Sequence, residues 1–561
     1  MKRVTLRWWT VLSTLIMGMI TTGCGFHTAT PRTKMMVDNL RQAKPSSPKR
    51  PQAGGTVSLD VVADKVNLDP ASAFDPVSQE LVRQLYDTLV RYDAHSGRVL
   101  PMAAKSWSVS KDGRTYTFHL RTGMRFWNGD LVTATSFVNE LKRVLSRRLR
   151  PHPCPAPSFF FDIQGAVEYY DGKSKSISGA RAVNRDTLVF HLIKPQADFL
   201  KILSLTFLSA VDVSRKPQHG RGMGALMGSG PFQPTTVHRK EWVFSRNPRY
   251  WRVNEGGTKL PYLNRVILHP VRAPEVAAVD FEEGLIAWVE PSLIGDGASA
   301  TRAWNQMKVN VRQHKKVFTQ PGATMWYLGM NVKHKPFTDV NVRKAIAYAV
   351  NRAQFVHGMR DLGAARGLLP PGTPDQVSGT SALYPYNLRK AKQLMQQSGH
   401  HQPVRLTLWS LSDSGQDAMV KEMAQILNQA GFRVQQHRVP FNKFVDGLNS
   451  GQADLFYFGW HEDYPDANNF LSLFHSGNPP ILNSTRYQSQ SIDRWLDRAE
   501  STRNERDRGL LLGKVSSELL RNAVCIPIGY PLERYAVQPW VRGLSFPIDE
   551  APDWASVWID R

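Results

Sequence analysis

The run Leu455-Phe456-Tyr457-Phe458-Gly459-Trp460, followed by His461-Glu462-Asp463-Tyr464-Pro465-Asp466, decides how the chain is read. Its first half is apolar or aromatic without the alternation of a half-exposed strand, which predicts a strand buried on both faces. The second half is acidic and holds a proline, which predicts a loop. Within the stretch, Gly459 leaves room for another backbone to approach, Trp460 offers a flat apolar wall, and Asp463 supplies a carboxylate three residues on. Plainer readings stand beside these: Trp460 as core, and Asp463 as a cap or turn ahead of Asn468-Asn469-Phe470-Leu471. Of the flanking acids Glu462 and Asp466, one is expected to be solvated. His461 adds an imidazole whose titration would make any binding here pH-dependent.

Outward from this strand, helix and strand patterns are interleaved rather than blocked. Thr56 to Val62 alternates like a strand, and Val77 to Tyr92 has the apolar spacing of a helix. Tyr116 to Arg121 alternates behind the turn Lys111-Asp112-Gly113, and Thr133 to Leu145 begins with a Thr cap and continues as a helix. Leu188 to Leu192 and Arg265 to Val271 read as strands. Val340 to Phe355, Leu388 to Gln397 and Asp417 to Ala430 read as helices, the last stopped by Gly431 before a strand at Arg433-Val434. Arg343 and Lys344 fall on a helix face expected to be solvated or paired with Asp339. The fold class is therefore mixed α/β, and 561 residues are too many for one core.

Charge and cysteines exclude several function classes. The formal net charge is +24, but the basic residues are spread without a run or an aromatic-interleaved stripe, so nucleic acid is not expected as a partner. Of the 3 cysteines, Cys24, Cys154 and Cys525, none forms a CxxC pair, so no structural zinc site and no metal is expected. Cys154 and Cys525 are read as one disulfide or two buried thiols. HExxH, G-x-S-x-G and Walker-type Gly-Lys-Ser/Thr are all missing, which argues against an enzyme and against a cofactor. At the start, Lys2, Arg3 and Arg7 precede the apolar run Trp8 to Ile20, an export signal over residues 1–23. Gly23-Cys24 closes it and resembles a bacterial lipobox, with Thr21 a departure from the usual Leu; lipidation is expected at Cys24. Residues 24–54, rich in Pro, Gly and Ser, read as a flexible tether to a membrane surface.

Many short stretches, in order, make the chain resemble the extracellular solute-binding proteins of the oligopeptide and dipeptide ABC importers. They include Leu68-Asp69-Pro70-Ala71, Gln84 to Asp93, Leu100 to Trp107, Asp112 to Arg121 and Phe126-Trp127-Asn128-Gly129-Asp130. They continue with Gly228-Ser229-Gly230-Pro231-Phe232, Arg246 to Trp251, Pro336 to Ile346 and Gly459 to Asp466. The resemblance spans about residues 55 to 550 and implies a periplasmic-binding-protein-like type II fold, with three lobes around a hinged ligand cleft. The lobes it implies are lobe I from 55–93, 207–322 and 525–561, lobe II from 94–206, and lobe III from 323–524.

The same resemblance implies a short peptide ligand, ABC permease subunits as partners, a monomer, and an exported, lipid-anchored protein facing the outside or the periplasm. In the family's peptide-binding branch the Asp of the Gly-Trp-x-x-Asp-Tyr motif meets the ligand's α-ammonium, and it maps onto Asp463. Gly459, Trp460 and His461 would flank the ligand, with Phe74 and Asp75 near it on lobe I; the rival for that loop is a simple Asp69-Pro70 turn. Phe159, Phe160 and Phe161 are expected to be partly core, and Asn247 to Trp251 architecture. Other members bind nickel chelates, haem, opines or oligosaccharides, and a surface sensor is a further alternative.

Overall fold

The computed structural model describes residues 50–63, 65–94, 96–146, 156–214, 226–238, 240–294, 298–309, 316–358, 362–373, 384–412, 417–546 and 552–560. The export signal, Cys24, the tether up to residue 49 and Cys154 lie outside these. Cys525 is a buried free thiol, and burial pushes its ionisation well up.

The apolar run forms the strand Leu455–His461, buried at every position but its last. It lies inside an eight-stranded sheet, between Thr324–Met330, antiparallel, and Val404–Leu411, parallel. Because both faces are covered, its side chains divide between two cores. Phe456, Phe458 and Trp460 enter one, with Phe444, Phe470 and Leu512. Leu455 and Tyr457 enter the other, with Ile346, Met423 and Leu427. This is the physical meaning of an apolar run without alternation.

The N-terminal half builds two smaller sheets on a shared core. Thr56–Val61 pairs in parallel with Arg265–Pro270, followed by Glu241–Arg246 and Phe232–His238. Ala104–Val109, Thr115–Leu120, Thr187–His191 and Ala180–Asn184 form the other sheet, in the order 104–109, 115–120, 187–191, 180–184. Residues from both, such as Leu59, Phe118 and Phe190, belong to one apolar cluster.

Two segments run from this first core into the eight-stranded sheet. The 13-residue strand Cys525–Val537 pairs with Thr324–Met330 at its start and with Lys316–Pro321 and Trp288–Val289 at its end. The other crossing is the chain from Lys316–Pro321 through Gly322 to Thr324–Met330. Gly322 is closely packed here: a Cβ would lie 2.6 Å from the Glu533 carboxylate and 3.0 Å from the Pro531 ring.

Several quoted motifs meet in one structural knot. Asp87 is fully buried; its carboxylate accepts from Ser229 Oγ (2.9 Å), Trp251 Nε1 (3.2 Å) and Tyr250 Oη (3.3 Å). Removal from water pushes it up to about 6 against those donors. Gly228 and Gly230 press on the Leu85 peptide, where a Cβ would come within 2.4 Å. The stretch 247–251 is thus architecture, as expected.

Differences from the sequence reading have local causes. The helix expected over Val77 to Tyr92 is Pro76–Leu85 and ends early, because Tyr86 turns extended and Asp87 is drawn into the knot; Val90–Asp93 is then a strand. Val340 to Phe355 divides into Val340–Ala349 and Arg352–Gly358. Asn351 restarts the second piece by accepting from the Gln354 N–H at 3.2 Å. Arg343 is not solvated: it is buried and donates to the carbonyls of Phe337 (2.7 Å) and Asn522 (3.1 Å). Phe160 is core, whereas Phe159 packs edge-on against Tyr464 at 6.3 Å.

Candidate functional site

The strand Leu455–His461 positions the candidate site through its backbone phase. Glu462 N–H donates to Ala323 O at 3.2 Å, and Thr324 stands opposite His461. In an antiparallel ladder this turns the peptide groups of Phe458 and Trp460 toward Thr324–Met330 and those of Gly459 to the other side. On that other side the register with Val404–Leu411 ends at Trp409 and Phe456. Gly459 therefore offers its N–H and C=O along a stretch of edge that no strand among the described residues covers.

The side-chain space at Gly459 is already used. A Cβ there would lie 2.6 Å from the Trp326 indole, which stands opposite in register and stacks on Tyr457 at 5.6 Å. Gly459 thus serves Trp326 packing on its face, while its peptide groups remain at the edge. Trp460 is only 7% exposed and points into the core rather than forming an open wall. Its indole N–H donates to Asn469 Oδ1 at 2.9 Å. His461 is exposed at the strand end, with Nδ1 3.0 Å from Thr324 Oγ1.

Asp463 lies just past the strand and is partly buried. Asn469 holds it, accepting from the Asp463 N–H at 3.2 Å and donating to Oδ2 at 3.4 Å. No cation among the described residues pairs with it. Burial pushes this carboxyl up to about 7, against the opposing effect of Asn469. A carboxylate withdrawn from water without a counter-ion favours an incoming cation.

Neither flanking acid is solvated. Glu462 is 4% exposed and Asp466 fully buried. Asp466 caps the helix Ala467–Leu471 through Asn468 N–H (2.8 Å) and pairs with Lys201 Nζ (2.8 Å) and Arg508 Nη2 (2.6 Å). These cations outweigh burial and hold it down at about 2. Lys201 belongs to the helix Phe199–Ile202, packed on the first core. Beside it, Tyr464 Oη donates to Asp198 Oδ2 at 2.6 Å, and Lys194 pairs with Glu500 at 2.6 Å. A polar seam thus joins the two halves within a few residues of Asp463.

The other sequence candidates precede the helix Pro76–Leu85, on the first core. Asp75 is exposed and caps Pro76–Leu85, accepting from Ser78 N–H at 2.8 Å; Phe74 is half-buried. Neither has a hydrogen bond, ion pair or ring contact to Gly459, Trp460 or Asp463 among the described residues. The preceding loop is a turn in which Ala73 N–H donates to Asp69 O at 2.7 Å, and Asp69 makes a two-pronged pair with Arg143. Sequence reasoning missed Asn469, Trp326 and Lys201. Asn469 carried a weak signal as the polar start of a short helix; the others carried none.

Residues 98–480 match the model described as bacterial extracellular solute-binding proteins, family 5 Middle. That is more than half of the chain, and the protein belongs to this family of substrate-binding components of ABC importers, which are not enzymes. Over 560 residues it is 24% identical to the oligopeptide-binding protein OppA of Bacillus subtilis, covering 96% of this chain and 97% of that one. Two solved structures show the same type II α/β fold. The unliganded open form of the murein tripeptide binding protein MppA has a TM-score of 0.77 and 22% identity, covering 91% of this chain and 99% of that one. DppA of Helicobacter pylori in complex with peptide STSA has a TM-score of 0.69 and 22% identity, with the same two coverages.

Proposed function

We propose that the protein is an exported lipoprotein, anchored through Cys24, that captures short peptides in a cleft between lobes I and III and delivers them to an ABC permease. The limits of the three lobes are those given above, and the segments Pro321 to Thr324 and Gly529 to Leu532 act as the hinge. The observation that carries the reading is Asp463: a partly buried acid with no cation paired to it among the described residues, beside a sheet edge at Gly459 that no described strand covers. An extended peptide supplies what each lacks, an ammonium for the acid and alternating N–H and C=O groups for the edge. His461 and the buried Trp460 flank Gly459 on that strand, and Phe74 and Asp75 face the ligand from lobe I. The naming of relatives such as OppA as oligopeptide-binding proteins supports the same class of solute.

The test is to express the chain from residue 25 onward, release whatever co-purifies, and analyse it by mass spectrometry with and without an amine-reactive tag. Short peptides that take the tag at a free N-terminus are the expected result. Neutral sugars or metal chelates in their place would overturn the reading.

A further inference from the structure

We propose that Asn469 is the positioning residue of this site: its side-chain oxygen holds both the Trp460 indole and the Asp463 backbone, while its amide nitrogen fixes one carboxylate oxygen of Asp463 and leaves the other to the ligand. For the identity of that ligand the inference rests on the peptide reading above; for the geometry it does not.

The orientation of the Asn469 amide follows from its partners. Trp460 Nε1–H (2.9 Å) and Asp463 N–H (3.2 Å) can only donate, so the side-chain oxygen faces them. The amide NH2 then faces Asp463 Oδ2, at 3.4 Å. Asn469 is 7% exposed, on a helix whose first turn is pinned by Asp466: Asn469 N–H donates to Asp466 O at 3.0 Å, and Asp466 is itself held by Lys201 and Arg508. The chain of support runs from the seam through Asp466 and Asn469 to the acid. Oδ1 of Asp463 has no hydrogen-bond donor among the described residues.

Asn469 also acts on the charge of Asp463, since a donor to a carboxylate favours its ionised form. The other titratable groups nearby are engaged elsewhere: His461 with Thr324, Tyr464 with Asp198, and Asp466 with its two cations, while Glu462 is buried. None of them contributes to the shift of Asp463, which burial raises and the Asn469 hydrogen bond opposes.

The test labels aspartate carboxyl carbons with 13C in the full body and follows them by NMR against pH. The resonance that disappears in D463N is Asp463, with a midpoint at about 7. In N469A, which removes both roles of the amide, the midpoint moves upward by about 0.5 pH unit or more. N469D is nearly isosteric; it keeps the acceptor for Trp460 and replaces the donor with a second acid. The pair then titrates in two steps, with the later one above the wild-type midpoint. Should N469A fail to fold, N469D carries the test. A midpoint unchanged in the folded variants overturns the positioning role. The peptide reading is scored separately, by wild-type calorimetry with trialanine and N-acetyl-trialanine: equal behaviour of the two overturns that reading alone.

Discussion

Asp463 sets the pH behaviour of the site. Its carboxyl is pushed up to about 7 in the unliganded protein, so the folded state holds a proton there that the unfolded chain has lost. The sign follows: this residue's contribution to stability is present below the unfolded value near 4, falls as pH rises, and is gone above about 7. D463N should therefore melt like wild type at pH 4 and be more stable at pH 8, by on the order of 1 kcal/mol, in calorimetric scans of ligand-free protein. Binding has the opposite sign. An ammonium needs the ionised acid, so affinity for a free-amine peptide should fall about tenfold for each pH unit below the midpoint. A flat affinity between pH 5 and 8 would contradict this. The motif made Asp463 visible in the sequence, because a carboxylate three residues after a buried Trp is simple to see. Its lack of a cation was not visible, since that depends on Lys201 and Arg508 both going to Asp466.

Strand pairing explains Gly459 and the seam explains Lys201. G459A should destabilise the protein by about 1–3 kcal/mol in urea titrations, because its Cβ overlaps the Trp326 ring. In the background of W326L most of that loss should vanish, which a double-mutant cycle measures. K201M leaves Asp466 with Arg508 as its cation and should cost about 1–3 kcal/mol, with no change in the preference between free and N-acetylated peptides. The strand itself was legible from its unbroken apolar run, and Leu388–Gln397 was legible to the residue. The early end of Pro76–Leu85 was not, because Asp87 leaves the helix for partners near residues 229 and 251. Helical spacing says nothing of a contact so far along the chain.

The molecule is two packed halves joined by two crossing segments and a polar seam, and that arrangement gives the peptide reading a mechanical consequence. Motion about Gly322 and Gly529 to Leu532 would open or close the space beside Asp463 while breaking or making the Tyr464–Asp198 and Lys201–Asp466 pairs. Small-angle scattering should show K201M more expanded than wild type without ligand, and both equally compact at ligand saturation. Mixed α/β class and more than one lobe were readable from interleaved patterns and length. The two-way crossing was not, because it depends on a 13-residue strand pairing with Thr324–Met330 at its start and with Lys316–Pro321 at its end.

The most direct measurement is a calorimetric cycle: wild type and D463N, each titrated at pH 8 with a peptide found to co-purify and with its N-acetylated form. The account predicts at least about a hundredfold loss on acetylation in wild type, equivalent to roughly 3 kcal/mol for a broken buried pair, and little further loss in D463N. Equal losses on acetylation in both proteins would contradict it.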